Sequence, residues 1–201
     1  MKSMLGAVMN DTYLMKNRMV MFYLLGILGI LGAYLTTGNP EFRTLLMSGI
    51  LLVIPIASLE STSVSFSSRW QSFERAWSIS PHLMVLSRYI LYLILSVIGV
   101  GVWMISPFYD GNTQSLVYSL LLAQLICIVY YPIMYFLNPK KGSIGQIALM
   151  AAFGISFSLS DNVILRFANG NYGLIVILVI ALYLVSIVFS MIFNMIHRGK
   201  A

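Results

Sequence analysis

Six apolar runs, each about the length of a bilayer-crossing helix, constrain this chain more than any other feature. A helix of about 20 residues, rising ~1.5 Å per residue, matches a hydrocarbon core of about 30 Å. The runs cover residues 19–37, 44–66, 83–106, 115–137, 142–160 and 172–195. Pro107 stops the third, and Asn138 and Pro139 close the fourth. The loops between them are short, so the expectation is one all-α membrane domain over residues 1–201. Composition agrees with this. The chain is 59% hydrophobic and 9% charged, with a mean hydropathy of +0.89. A soluble domain carries about a quarter Asp, Glu, Lys and Arg. Lipid needs no such charged shell, because its tails solvate Leu and Ile as a protein core does.

Six spans put both termini on one side, and the basic residues choose which. With the N-terminus inside, the inner segments hold Lys2, Lys16, Arg18, Arg69, Arg75, Arg88, Lys140, Lys141, Arg198 and Lys200. The outer loops hold only Arg43 and Arg166, beside Glu41, Asp110 and Asp161. In a short-loop protein this asymmetry places the termini in the cytoplasm. The net charge of +6 is scattered among apolar runs and forms no stripe for nucleic acid. It suits topology and anionic headgroups instead. Residues 1–17 do not read as a signal peptide, since Asp11 breaks the segment and a full-length span follows.

Two amphipathic segments fall on the inner side. In residues 1–17, Leu5, Val8, Thr12 and Met15 recur at helical spacing, with Lys2, Asn10 and Lys16 elsewhere on the wheel. That predicts an elbow helix lying in the interface and turning into the first span. In residues 67–81, Trp70, Phe73 and Trp77 fall at i, i+3 and i+7, one stripe of a short cytoplasmic helix. Arg69, Glu74 and Arg75 project away from the stripe, and Pro81 is read as the helix stop. Tryptophans at headgroup depth anchor interface helices. The same aromatics and charges also make a knob able to dock into a groove of a soluble partner. The two readings are compatible.

These residues carry a family resemblance. The opening Asn10-Asp11-Thr12-Tyr13-Leu14-Met15-Lys16-Asn17 resembles the start of type-2 ABC exporter permeases, where an elbow helix with an aspartate and an aromatic precedes basic residues and span one. Residues 73–81, Phe-Glu-Arg-Ala-Trp-Ser-Ile-Ser-Pro, are similar to that family's cytoplasmic coupling segment. Val85-Leu86-Ser87-Arg88-Tyr89 is similar to its entry into span three. Phe73 stands where Trp is usual, Ser80 where Leu is usual, and His82 where a small aliphatic is usual. The resemblance implies a half-size permease that dimerises with itself or a relative. Each copy would grip a soluble ABC ATPase, two per exporter, through Arg69, Trp70, Phe73, Glu74, Arg75, Trp77 and Pro81. ATP and Mg would sit on that ATPase, with no cofactor on this chain. Family members of this size move antimicrobial or cytolytic amphipathic peptides, bacitracin-like antibiotics, lantibiotics or ions. The chain resembles exporters of phenol-soluble modulins and bacteriocin peptides, which implies a bacterial plasma membrane and amphipathic peptide cargo.

Other residues carry weaker chemistry. Glu60 is the one carboxylate inside a predicted span, where an ionised side chain costs at least about 2.5 kcal/mol. It reads either as a relay or cargo contact in the translocation path, or as an inner-end residue bonded to Ser61, Thr62 or an arginine. Cys127, the single cysteine, reads as a small core hydrophobe. Gly26, Gly29, Gly32 and Ala33 give the first span a close-packing face, and Pro55 and Pro132 kink the second and fourth. Gly154-Ile155-Ser156 faintly resembles a serine-protease motif, but His82 and His197 lie at span ends, so no base sits at its depth. With no Gly-rich phosphate loop, the chain itself is not expected to hydrolyse ATP. The alternatives are an ion-coupled secondary transporter using Glu60, and a structural or immunity-type membrane protein without transport.

Overall fold

A computed structural model describes residues 80–105, 113–137, 142–159 and 172–198, together with the helical positions Pro55, Ile56, Ser58, Leu59 and Thr62. Every element among the described residues is a helix: α1 (Pro81–Ile105), α2 (Thr113–Leu137), α3 (Gly142–Leu159) and α4 (Tyr172–Arg198). These coincide with the third to sixth predicted spans to within three residues at each end. By length and composition, three of them hold membrane spans: Pro81–Gly101, Leu120–Leu137 and Gly173–His197. The fourth, α3, is 18 residues long and carries the shorter apolar stretch Ile147–Ser156. The first predicted span, nearly all of the second, and the elbow segment lie outside the described residues. So do Arg69, Trp70, Phe73, Glu74, Arg75 and Trp77.

Pro81 is placed differently from its sequence reading. The Met84 N–H donates to the Ser80 carbonyl at 3.1 Å, the first intrahelical bond of α1. Ser80 is therefore the cap and Pro81 the first helical residue, where its missing N–H costs nothing and its fixed φ suits the turn. It starts α1, so a proline in this place reads as a beginning as well as a stop.

Hydrogen bonds between helices fix their directions. Asn194 of α4 donates to the Pro81 carbonyl at 3.1 Å, and His197 Nε2 lies 2.9 Å from the Phe136 carbonyl. A carbonyl only accepts, so that His197 nitrogen carries the proton. The start of α1 and the ends of α2 and α4 thus share one end of the bundle. Toward the other end, Tyr92 meets Ala123 and Ser186 meets Ile128. Hence α1 runs antiparallel to both α2 and α4, which are parallel to each other. The central helix is α2, packed along α4, α3 and α1.

Burial follows that order. In the spans of α1 and α2, 56% of residues are buried, against 17% in α4. One face of α4 is therefore turned outward, with Ile177, Leu184, Val188 and Phe189 all exposed. In lipid such a face has no hydrophobic drive toward another helix, so contact shape and polar bonds hold the bundle. On the α3 seam, Ala148 and Ala152 are buried against the core, and their small side chains let α3 come close to α2.

Candidate functional site

The feature most unlike a lipid-filled core is a buried cluster of tyrosines. Tyr89, Tyr92, Tyr130, Tyr131 and Tyr135 are each at most 1% exposed. Their rings pack on one another: Tyr89 lies 4.6 Å from Tyr131 and edge-on to Tyr183 at 5.2 Å, while Tyr130 meets Tyr131 at 5.7 Å. Such ring pairs add about 0.5–1.5 kcal/mol each beyond burial. The phenol hydroxyls need partners in hydrocarbon, and they find them on other helices. Tyr130 donates to the Leu59 carbonyl at 2.9 Å, Tyr131 to the Arg88 carbonyl at 3.3 Å, and Tyr183 to the Tyr89 carbonyl at 2.8 Å. The Leu59 bond ties the second predicted span to α2.

Proline explains one of the buried polar contacts. Pro132 sits inside α2 and has no N–H, so the Ile128 carbonyl loses its intrahelical donor. The Ser186 hydroxyl of α4 takes that donor's place at 2.7 Å. Proton counting then orients the neighbouring bonds. Ser186 has given its only proton to Ile128, so at 2.6 Å it must accept from the Tyr89 hydroxyl. Tyr89 has then given its own proton and must accept from Ser190 at 2.8 Å. The chain runs Ser190 to Tyr89 to Ser186 to the Ile128 carbonyl, and it ends there. A chain that terminates on a carbonyl clamps three helices and does not conduct protons onward.

The sequence pattern groups Arg88 with the inner-side bases. In the structure it is 3% exposed, seven residues or about 10 Å along α1 from Pro81. Its Nη1 donates to the Tyr135 hydroxyl at 2.9 Å, and its guanidinium lies 5.8 Å from that ring's centroid. A cation at this depth must be held by polar or aromatic groups, and the tyrosine cluster supplies both. Arg88 therefore belongs to the interior of the bundle.

The remaining sequence candidates divide plainly. Cys127 is fully buried in the tyrosine core, as a small hydrophobe should be. Ser156 is fully buried on α3, fourteen residues or about 21 Å from the helix start. His82 and His197 occupy the first turn of α1 and the last turn of α4, so no described histidine shares the depth of Ser156. Glu60, Asp11 and Lys16 lie outside the described residues. Near Glu60 in the sequence, Ser58 and Thr62 are buried, with hydroxyls turned onto the Pro55 and Ser58 carbonyls of their own helix. No group of three or more His, Cys, Asp or Glu able to hold a metal occurs among the described residues.

Toward the other end of the bundle, α1, α2 and α4 part to leave a groove of about 360 Å³. Leu93, Val97, Leu121, Val179 and Ile180 line it, so its surface is almost wholly apolar, and Ser96 and Gln124 lie at its wall. The Gln124 Oε1 atom is buried there without a hydrogen-bond donor among the described residues.

Comparison with known families decides what kind of protein this bundle serves. Residues 7–195 match the model of the ABC-2 family transporter proteins. The chain belongs to that family. It is thus an ABC-2 type permease, the membrane component of a transporter and not its catalytic part. Membership implies a partner ABC ATPase for the permease. No curated protein and no solved structure matches it. The matched range takes in residues 67–81, α1 to α3, and α4 as far as Met195.

Proposed function

We propose that the permease forms one half of the translocation path of an ATP-driven exporter in a bacterial plasma membrane. It crosses six times with both termini cytoplasmic, pairs with a second copy or a close relative, and binds one soluble ATPase per copy. The observation that carries this reading is the shared end of the bundle. The start of α1 and the ends of α2 and α4 meet there. Lys140, Lys141 and Lys200 follow closely in the sequence. By the positive-inside rule that end is cytoplasmic. Two further spans over 19–37 and 44–66 bring the N-terminus to the same side.

The proposed coupling segment, residues 67–81, ends where α1 begins. Pro81 is bonded to Asn194 of α4, and Arg88, two turns on, is bonded to Tyr135 of α2. A push on the segment from the ATPase therefore reaches three helices through short polar links. Trp70, Phe73 and Trp77 would fill the ATPase groove, and Arg69, Glu74 and Arg75 would set its orientation. The cargo that best fits is an amphipathic peptide, whose apolar side chains match the groove between α1, α2 and α4. Replacing Phe73→Ala together with Glu74→Arg should release the ATPase and stop ATP-dependent transport of labelled amphipathic peptides into inverted vesicles. Retained copurification and transport would refute the docking assignment.

A further inference from the structure

We propose that α4 has a second seat in the bundle, one helical turn farther from the end that carries Pro81. Its polar stripe holds Ser186, Ser190 and Asn194, spaced by four residues on an otherwise apolar helix, all buried. Four residues of helix advance about 6 Å and return to nearly the same face. If α4 slides by that step, Ser190 arrives where Ser186 stood and Asn194 where Ser190 stood. Ser190 then donates to the Ile128 carbonyl and accepts from Tyr89, while the Asn194 amide donates to Tyr89. The whole donor chain is rebuilt. The Ile128 carbonyl, stripped of its own donor by Pro132, keeps a partner in both seats.

The step is possible in one direction only. Sliding the other way brings Leu182 to the place of Ser186 and leaves the Ile128 carbonyl bare in hydrocarbon. In the permitted direction, three bonds of the observed seat are given up. Ile187 replaces Tyr183 at the Tyr89 carbonyl, and His197 leaves the Phe136 carbonyl. Asn194 also leaves the Pro81 carbonyl when it moves to Tyr89. Interhelical bonds in membranes are each worth a factor of about three on average, so losing three leaves the second seat as a minor state of about one part in thirty. With only 17% of its span buried, most of α4 carries few packing contacts that a slip must break. One-turn slips of one packed element past another are a known form of switching motion.

Two substitutions of the same chemistry, one turn apart, separate this proposal from a purely structural role for the stripe. Ser186→Ala removes two bonds from the observed seat and none from the second, so the second should rise about eightfold relative to the first. Ser190→Ala removes one bond from the observed seat and two from the second, so the ratio should fall about threefold. The readout is the spin-label distance between Leu137→Cys on α2 and Ile180→Cys on α4, both exposed, in a Cys127→Ala background in liposomes. Because α2 and α4 are parallel, the slip should appear as a second distance about 5–6 Å longer. Tyr183→Phe, which weakens only the observed seat, should raise the same longer peak and serves where Ser186→Ala folds poorly. A single unshifted distance in all three variants overturns the proposal. So does broadening in the same sense for Ser186→Ala and Ser190→Ala.

Discussion

Removing the Ser186 hydroxyl tests whether a proline in one helix is compensated by a serine in another. Ser186→Ala deletes two interhelical bonds, one to the Ile128 carbonyl at 2.7 Å and one from Tyr89 at 2.6 Å. At about 0.6 kcal/mol per bond, with ~1.7 kcal/mol as the upper end, the loss should be about 1–2.5 kcal/mol. The larger share comes from the carbonyl, because Pro132 leaves it with no donor of its own. Pro132→Ala restores that donor, since the backbone N–H gained at this position reaches back to the Ile128 carbonyl. In the Pro132→Ala background, Ser186→Ala should therefore lose only the Tyr89 bond, about 0.6 kcal/mol. The double-mutant cycle should show a coupling of about 0.5–1.5 kcal/mol, read from reversible unfolding in bicelles. Additivity to within ~0.3 kcal/mol would refute the compensation, because it would mean that the carbonyl does not depend on Ser186.

Three further outcomes follow from the packing. Tyr135→Phe keeps the ring over Arg88 and removes its hydroxyl; stability should fall by about 1–2 kcal/mol, and Tyr135→Ala should cost clearly more in the same unfolding assay. Ala152→Leu forces a large side chain into the fully buried α2–α3 seam and should cost about 1–3 kcal/mol, whereas Met150→Leu, at a position 75% exposed, should be nearly neutral. Cys127 should resist maleimide in the folded protein in membranes and react fully after denaturation in dodecyl sulfate, as its complete burial requires; rapid labelling of the folded protein would contradict the tyrosine core.

The apolar runs make α1 to α4 legible, because in lipid the length of a run and the polar residues that bound it leave little choice. The burial of Cys127 is legible for the same reason. The interior is harder to read. Arg88 looks like an inner-side base in sequence because only three-dimensional packing brings Tyr135 close enough to hold it in the span. The stripe Ser186, Ser190 and Asn194 does leave a signal, since polar residues four apart on an apolar helix point to one neighbour. The identity of that neighbour cannot be read from α4 alone, as it depends on a proline in α2 and a tyrosine in α1. Pro81 reads as a stop because proline ends and begins helices with equal ease, and only the bond from Met84 to Ser80 distinguishes the two.

The central claim is that this ABC-2 permease works with a separate ATPase gripped through residues 67–81. The most direct test is to purify the tagged chain from its native membrane and identify by mass spectrometry everything retained with it. The account expects an ABC ATPase in near-equal amount, lost when Trp70, Phe73 and Trp77 are replaced by alanine while the permease stays folded. A chain that emerges alone, from membranes that show proton-coupled flux abolished by Glu60→Gln, would contradict it.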